Sequence, residues 1–219
     1  MQHPIYVINP NCDSAVTAGL DAAVAPLRLA GGPPITCVTL ADGPPGVQSQ
    51  LDVDTAALSV HRFAQAHKGR ASAFVVACFS DPGLAMLRES AGVPVLGISE
   101  SAVLTALTMG QTFGVIAILQ GSIPRHLRNW SAMGVASRCA GEIAIGRGVS
   151  ALADRPATLA AMCDAGRRLR DERGAQVLVM GCAGMAPFRE PLQEATGLAV
   201  VEPTQAATAM ALGRVQLGW

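Results

Sequence analysis

The sequence predicts an α/β protein with two pseudo-symmetric lobes, each a mostly parallel sheet flanked by helices. Short runs rich in Val and Ile alternate with Ala- and Leu-rich stretches along the chain, which is the pattern of successive βαβ units. The chain also repeats itself near its midpoint. With 219 residues, 50% of them hydrophobic and 15% charged, it is long enough for one ordinary domain or two small lobes.

Each predicted strand is a short run in which β-branched side chains suit a pleated, buried surface. The strand segments are 5–8, 35–40, 74–77, 93–96, 113–119, 135–139, 177–180 and 198–201. The segments between most of them are rich in strong helix formers. The helical segments are 14–29, 52–67, 82–91, 100–109, 124–133, 154–173, 187–196 and 204–214.

The internal repeat joins two strand–helix–strand segments. Residues 74–78 (FVVAC) precede a helix and then VPVLGISESAV at 93–103, whereas 177–182 (VLVMGC) precede a helix and then LAVVEPTQAAT at 198–208. The offset is 104 residues at the cysteines (182 − 78) and 105 in the following strand (198 − 93). The repeat therefore predicts two similar lobes of about a hundred residues each.

Cys78 and Cys182 end the equivalent strand in the two halves. Ligands of open α/β sheets bind beyond the carboxyl ends of the strands, so both thiols are expected at a binding cleft. Asp81 and Pro82 suit a helix start after the first thiol, and Pro187 suits one after the second. A helix N-terminus beside each thiol would favour the thiolate.

Two opposed thiols suit inversion of a carbon stereocentre without a cofactor, because one thiolate can remove the proton while the other thiol returns one from the far side. Thiol pKa values of about 8.5 lie close to working pH, which favours such transfer. The structural alternative is that Cys78 and Cys182 are two small core residues at strand ends.

Composition argues against several other classes. The 16 basic and 16 acidic residues balance, so we expect neither a nucleic acid nor a membrane surface as partner. No apolar run approaches the roughly 18 residues of a membrane span. The six cysteines and four histidines lack zinc-site spacing, so no metal is expected. Lys68, the single lysine, is expected at a helix end, which argues against pyridoxal phosphate. The N-terminal residues show no secretion signal, so we expect a cytoplasmic protein.

The chain resembles the Asp/Glu/hydantoin racemase superfamily and within it is most similar to hydantoin and allantoin racemases. The combination of CFSDPG at 78–83 with GCAGM at 181–185 is the specific part of the resemblance. Supporting pieces are INPN at 8–11, VPVLGI at 93–98 and VEPTQAA at 201–207.

The resemblance implies a site between the two lobes, no metal or other cofactor, and Cys78 and Cys182 as the acid–base pair. It also implies that the C-terminal helix returns to the first lobe. The expected lobes are then 1–98 plus 204–219, carrying Cys78, and 99–203, carrying Cys182. The substrate contacts implied by the resemblance are Asn9, Ser80 and the backbone of Phe79, Ala183 and Gly184.

Two loops that should border the cleft depart from the hydantoin racemase pattern and leave the substrate open. Val47-Gln48 stands where the family often has Ile-Glu, and Leu119-Gln120 stands where it tends to have Thr-Thr. Gln120 and Ser122, with Gly121 between them, are candidates to bind a carbonyl or carboxylate. Asn9 and Asn11 are further candidates, with an Asx-turn that closes the strand as the alternative.

We therefore expect a cofactor-independent racemase that acts at a carbon α to a carbonyl in a small molecule, first of all 5-substituted hydantoins or allantoin, and that forms a homo-oligomer. An aspartate/glutamate-type racemase, a decarboxylase or maleate-isomerase-like enzyme on the same scaffold, and a non-catalytic two-lobed binding protein are the alternatives. We expect little positive charge directed at the cleft, which favours a neutral ring. His126 is expected at the surface or at a subunit contact, and Glu100 and Glu202 are expected to be structural.

Overall fold

The computed structural model describes residues 3–219, which form eight strands and eight α-helices. The strands are β1 (Ile5–Asn9), β2 (Ile35–Thr39), β3 (Ala73–Val76), β4 (Val95–Gly97), β5 (Phe113–Ala117), β6 (Cys139–Ala144), β7 (Val177–Met180) and β8 (Ala199–Val201). The helices are α1 (Ser14–Val24), α2 (Gln50–Ala66), α3 (Leu84–Ser90), α4 (Ile98–Met109), α5 (Ile123–Ala132), α6 (Arg155–Asp171), α7 (Arg189–Thr196) and α8 (Pro203–Leu217).

The strands form two parallel four-stranded sheets with the same strand order. The first sheet runs β2-β1-β3-β4 and the second runs β6-β5-β7-β8. The central strand β1 pairs with β2 and β3, just as β5 pairs with β6 and β7. The predicted α/β class with two similar lobes is confirmed, and the repeat in the sequence corresponds to this repeated sheet.

The helices after β4 and β8 exchange sheets. Ala207 of α8 is fully buried in the core of the first sheet with Ile5, whereas Ala102 of α4 is fully buried in the core of the second sheet with Val115. The two helices also pack against each other. This exchange supports our proposal that the lobes are 1–98 with 204–219, and 99–203.

The predicted strand at 135–139 is wrong. That segment contains a short 3-10 helix at Ala136–Arg138, and the strand follows it as β6. β6 is an edge strand whose residues are all half-buried, and it contains Gly141 and Glu142 in place of a continuous β-branched run. Its periodicity is therefore weak, and pairing with β5 determines its position.

The predicted helix starts after both thiols are also wrong. Helix α3 begins at Leu84 after Gly83, whose φ of 74° requires glycine, and Asp81 does not cap it. Pro187 lies inside a 3-10 segment, Ala183–Phe188, and α7 begins at Arg189. The chain after Cys78 is thus an irregular loop before α3 begins, whereas a 3-10 segment begins directly after Cys182 and leads into α7.

Within residues 3–219, no helix has the length and apolar character that a membrane crossing requires.

Candidate active site

A cavity lies between the two lobes at the carboxyl ends of β3 and β7. The empty space between its walls, with the open mouth included, is about 570 Å³. Eight of the predicted site residues line it. They are Asn11, Cys78, Phe79, Ser80, Ser122, Cys182, Ala183 and Gly184.

The two thiols occupy equivalent places on opposite lobes. Cys78 follows β3, Cys182 follows β7, and both are half-buried free cysteines on the cavity wall. The backbone N–H two residues after each cysteine, that of Ser80 for the first and of Gly184 for the second, lies close enough to the sulfur to favour its thiolate and lower its pKa. Equivalent positions, two residues after the ends of β3 and β7, therefore present one thiol from each lobe to one cavity.

Burial controls the charge state of the thiols. It raises the pKa of Cys78 to about 12 and that of Cys182 to about 11, although the N–H donors of Ser80 and Gly184 act in the opposite direction. The expected net lowering of the thiol pKa values is wrong, because burial outweighs the backbone N–H groups. Helix α3 begins only at Leu84, whereas Cys182 is the N-cap of the 3-10 segment Ala183–Phe188. Both groups are therefore neutral thiols in the resting protein near pH 7.

A carboxylate near each thiol caps a helix; Asp81 of the first lobe is half-buried and Glu202 of the second is buried. Asp81 accepts from the backbone N–H of Ser99 at 3.0 Å and of Glu100 at 2.9 Å, which caps α4. Glu202 caps α8 in the same way, accepting from Thr204 at 3.1 Å and from the next N–H at 2.6 Å. The negative charge of Asp81 raises the pKa of Cys78, and that of Glu202 raises the pKa of Cys182.

In the first lobe the carboxylate that caps α4 comes from a different segment of the chain, because the position equivalent to Glu202 is a glycine. Gly97 is the repeat counterpart of Glu202, since 202 − 97 gives the offset of 105. A Cβ atom on Gly97 would lie 2.3 Å from Cγ of Asp81, so the carboxylate occupies the space of the missing side chain. Burial raises the pKa of Asp81 to about 7, and its φ of 45° turns the chain so that the carboxylate reaches α4. Glu100 instead pairs with Arg88 at 2.9 Å.

Asn9 lies behind the cavity wall and does not line it. Its side chain is fully buried, and Nδ2 donates to Oδ1 of Asn11 at 2.9 Å, while its Oδ1 accepts from the Asn11 backbone N–H at 3.2 Å. Nδ2 also lies 3.0 Å from Thr17 Oγ1. The structure therefore corrects the expectation of a substrate contact: Asn9 holds Asn11 in place, because its polar atoms are already occupied.

Gln120 and Gly121 are also outside the cavity. Both are exposed in the 3-10 segment Gln120–Ser122, and Ser122 is the residue of that segment that lines the cavity. Its hydroxyl donates to the Leu119 carbonyl at 2.7 Å, which closes the turn. The tight turn directs Gln120 and Gly121 to solvent, which is why their predicted role is corrected.

Two polar residues of α5 line the cavity although their roles were not predicted. Arg125 donates from Nη1 to Gly121 O at 2.9 Å and from Nη2 to Gln48 O at 3.0 Å, while its buried Nε has no hydrogen-bond partner within residues 3–219. His126 is 2% exposed rather than at the surface. Trp130 lies one helical turn after His126 and is fully buried. A tryptophan at this spacing is the feature of the sequence that could have indicated that this face of α5 points into the protein.

Contacts across the mouth of the cavity connect the lobes. The 41–49 loop, between β2 and α2, brings Val47 and Gln48 to the cavity. Gln48 is held by Arg125, and its side-chain amide lies beside Gly148 of the other lobe. Arg128 Nη2 donates to Oε1 of Gln50 at 2.7 Å. These contacts form a bridge of hydrogen bonds on one side of the cleft.

Residues 3–219 contain no group of three or more His, Cys, Asp or Glu side chains arranged to hold a metal ion. The groups that line the cavity offer two thiols for proton transfer, hydroxyls and backbone amides for hydrogen bonding, the imidazole of His126 and the positive charge of Arg125.

Comparison with known proteins agrees with this geometry. The family model described as Asp/Glu/Hydantoin racemase matches residues 5–211. A hydantoin racemase of Rhizobium meliloti is 34% identical over 98% of this chain and 90% of its own length, and one of Paenarthrobacter aurescens is 32% identical over 98% and 92%. The structure of an allantoin racemase from Klebsiella pneumoniae superposes with a TM-score of 0.91 at 30% identity, covering 99% of this chain and 89% of that one.

The two parallel sheets, the paired strand-end thiols and these matches lead to one assignment. The chain belongs to the Asp/Glu/hydantoin racemase family and is an isomerase of the racemase type.

Proposed function

We propose that this enzyme racemises 5-substituted hydantoins or allantoin by proton transfer between Cys78 and Cys182, without a metal or organic cofactor. The observation that carries the proposal is the presentation of one thiol from each lobe to a single cavity, each with the same N–H donor two residues later. The names of the relatives, hydantoin racemase and allantoin racemase, support the substrate class.

In the proposed reaction, one cysteine acts as a thiolate and removes the proton from the ring carbon that carries the substituent. The electron pair of that C–H bond moves into the ring as an enolate, with negative charge on the adjacent carbonyl oxygen. The opposite thiol then donates its proton to the other face. The substrate is inverted with no net change in atoms or electrons, and the two cysteines have exchanged protonation states.

The raised thiol pKa values make the active form a minor one. With a pKa of about 11, roughly one thiol in a thousand is ionised at pH 8. A thiolate formed in so dry a site is strongly basic, and the N–H donors of Ser80 and Gly184 stabilise it. The ring carbon of a hydantoin lies between a carbonyl and a nitrogen, so its proton is acidic enough for such a base.

The remaining polar groups on the cavity wall fit a small polar ring. We assign substrate contacts to Asn11, Ser80 and Ser122, and to the backbone of Phe79, Ala183 and Gly184. Ala77, Ile118 and Leu119 supply apolar surface between them. This mixture of hydrogen-bonding groups and apolar walls is typical of sites for neutral, compact ligands.

A second candidate substrate class is an acid, because Arg125 contradicts the expectation of little positive charge at the cleft. Its guanidinium lines the cavity, and its buried Nε has no partner among residues 3–219. A carboxylate on the substrate would supply one, as in an aspartate/glutamate-type racemase or a hydantoin with an acidic substituent. The homo-oligomeric state stays a prediction.

The test is proton NMR in D₂O with single enantiomers of hydantoins, allantoin, aspartate and glutamate, with EDTA present. We expect loss of the α-proton signal together with loss of optical rotation for the hydantoins or allantoin. Cys78→Ser and Cys182→Ser should each reduce racemisation at least about a hundredfold, since general acid–base catalysis contributes that much or more. The matched control, Cys12→Ser, changes an exposed cysteine and should keep the full rate.

A thiol variant that still racemises at near the wild-type rate contradicts the two-thiol mechanism. Activity that EDTA abolishes and added metal restores contradicts the metal-free proposal. If the α-proton exchanges only in aspartate or glutamate, the substrate belongs to the second candidate class, the acids.

A further inference from the structure

A buried histidine–glutamate pair, of which the histidine lines the cavity, has no role in the proposed two-thiol mechanism. Nδ1 of His126 lies 2.6 Å from Oε1 of Glu142, and both side chains are 2% exposed. The edge of the imidazole packs against the Phe79 ring at a centroid distance of 5.0 Å. Because Phe79 follows Cys78 directly, the imidazole is placed beside the loop that carries one thiol.

His126 lines the cavity, and its second ring nitrogen is free to act there. Nε2 has no hydrogen-bond partner in the part of the chain from residue 3 to 219, while Nδ1 is held by Glu142. A histidine that served only to join α5 to β6 would normally satisfy both ring nitrogens within the protein. The polar atom that His126 brings to the cavity is therefore Nε2.

The burial of the pair determines which atom carries a hydrogen. An unpaired charge in so dry a place is strongly disfavoured, and burial raises the pKa of Glu142. The neutral pair has two forms: imidazolium with carboxylate, or a neutral imidazole that accepts from the protonated acid at Nδ1. In both forms Nε2 carries a hydrogen. The remaining form, a neutral imidazole that donates from Nδ1 to an ionised Glu142, leaves Nε2 without a hydrogen, and burial disfavours it because the pair would then carry a net negative charge.

We propose that His126 is a catalytic residue that donates a hydrogen bond from Nε2 to the substrate carbonyl next to the reacting carbon, with Glu142 as its positioning residue. This inference rests on the proposed racemase function. When a cysteine removes the α-proton, the electron pair moves onto that carbonyl oxygen, and the Nε2–H bond stabilises the negative charge. The hydrogen stays on Nε2, so the charge on the oxygen is released again when the opposite thiol protonates the carbon.

The test compares His126→Gln and Glu142→Gln with a matched control, His67→Gln. His67 also has Nδ1 bonded within the protein, to Phe63 O at 2.8 Å, but it does not line the cavity. Racemisation of an alkyl-substituted hydantoin should fall about a hundredfold in kcat for His126→Gln, with KM changed only a few-fold. Glu142→Gln should show a smaller loss, and the control should keep the full rate.

A structural role and a catalytic role differ in their substrate dependence. The loss in His126→Gln should be smaller for a phenyl-substituted hydantoin, whose C–H is more acidic and whose enolate needs less stabilisation. An equal loss on both substrates, or a rate within twofold of wild type on both, overturns the catalytic assignment.

A binding measurement separates this inference from the proposed function. The ¹⁵N signal of the His126 side chain in the wild-type protein should shift on addition of a hydantoin, and no shift overturns the inference. Wild-type protein that racemises none of the hydantoins contradicts the proposed function instead, and the titration then still decides whether His126 contacts the ring.

Discussion

Replacing Gly97 with alanine should separate α4 from the carboxylate that caps it. The backbone of Gly97, with φ −95° and ψ 141°, is open to any L-residue, so alanine introduces no backbone strain. The new Cβ would lie 2.3 Å from Cγ of Asp81 and 2.5 Å from both carboxylate oxygens. Carbon–carbon contacts are favourable only near 3.5–4.0 Å, so Asp81 has to retreat by roughly 1 Å.

That movement removes two hydrogen bonds. The carboxylate accepts from Ser99 at 3.0 Å and Glu100 at 2.9 Å, and a retreat of this size takes both beyond bonding distance. Above the Asp81 pKa of about 7 the carboxylate is charged, and a hydrogen bond to a charged group contributes roughly 1.5–3 kcal/mol, so at pH 8 the loss is about 3 kcal/mol or more. Alanine returns roughly 0.4–1 kcal/mol by restricting the unfolded chain, which leaves a net loss of about 2 kcal/mol or more.

Urea unfolding measures this change, and the matched control is Gly19→Ala. Gly19 lies inside α1, and no atom stands within 4 Å of the place that an added Cβ would take, so alanine there should stabilise by roughly 0.5–1 kcal/mol. The racemisation rate should fall in Gly97→Ala alone, because Asp81 belongs to the Cys78 loop. A free energy of unfolding within about 0.5 kcal/mol of wild type for Gly97→Ala would refute the assignment of Asp81 as the cap of α4.

Three further results are expected. The value of kcat/KM, corrected for uncatalysed racemisation, should rise about tenfold per pH unit from about pH 7 to 10. Burial raises the thiol pKa values, and the cysteine that acts as the base must lose its proton before it can react. A flat pH profile contradicts the raised pKa values. Gly181→Ala places a Cβ 2.6 Å from the backbone carbonyl oxygen of Ile116. Because backbone cannot move aside easily, both the melting temperature and the racemisation rate should fall, and an unchanged melting temperature contradicts that contact. Arg125→Gln should impair acidic hydantoins more than neutral ones in a comparison of kcat/KM, and equal effects argue against a carboxylate contact.

The sequence predicted the features that a repeat or a local pattern encodes. Two copies of a strand followed by cysteine were enough to predict two sheets and to place Cys78 and Cys182 at the carboxyl ends of equivalent strands, one in each sheet. The position of β6 was missed because an edge strand is determined by pairing with its neighbour. Asp81 looked like the cap of the next helix, although it caps α4, about 18 residues later, through a contact that forms only in the folded lobe.

The site residues show the same limit. Asn9 and Asn11 look alike in sequence, but only Asn11 faces the cavity, because the polar atoms of Asn9 are used by its neighbours. His126 looked like a surface residue because its partner, Glu142, comes from a strand 16 positions away. Such pairings depend on tertiary contacts that periodicity and motif spacing do not report.

The hydrogen-bonded bridge over the cleft has a kinetic consequence. It consists of exposed contacts from Arg125 and Arg128 to Gln48 and Gln50, and exposed polar pairs contribute only roughly 0.2–1 kcal/mol each. Substrate entry and product escape should therefore occur on the microsecond-to-millisecond scale of loop motion. The chemical step requires a thiolate, which is only a minor form of each cysteine, so it is slower than loop motion. Substrate therefore dissociates many times before it reacts. Substrate deuterated at the reacting carbon should accordingly show a full primary isotope effect on both kcat and kcat/KM.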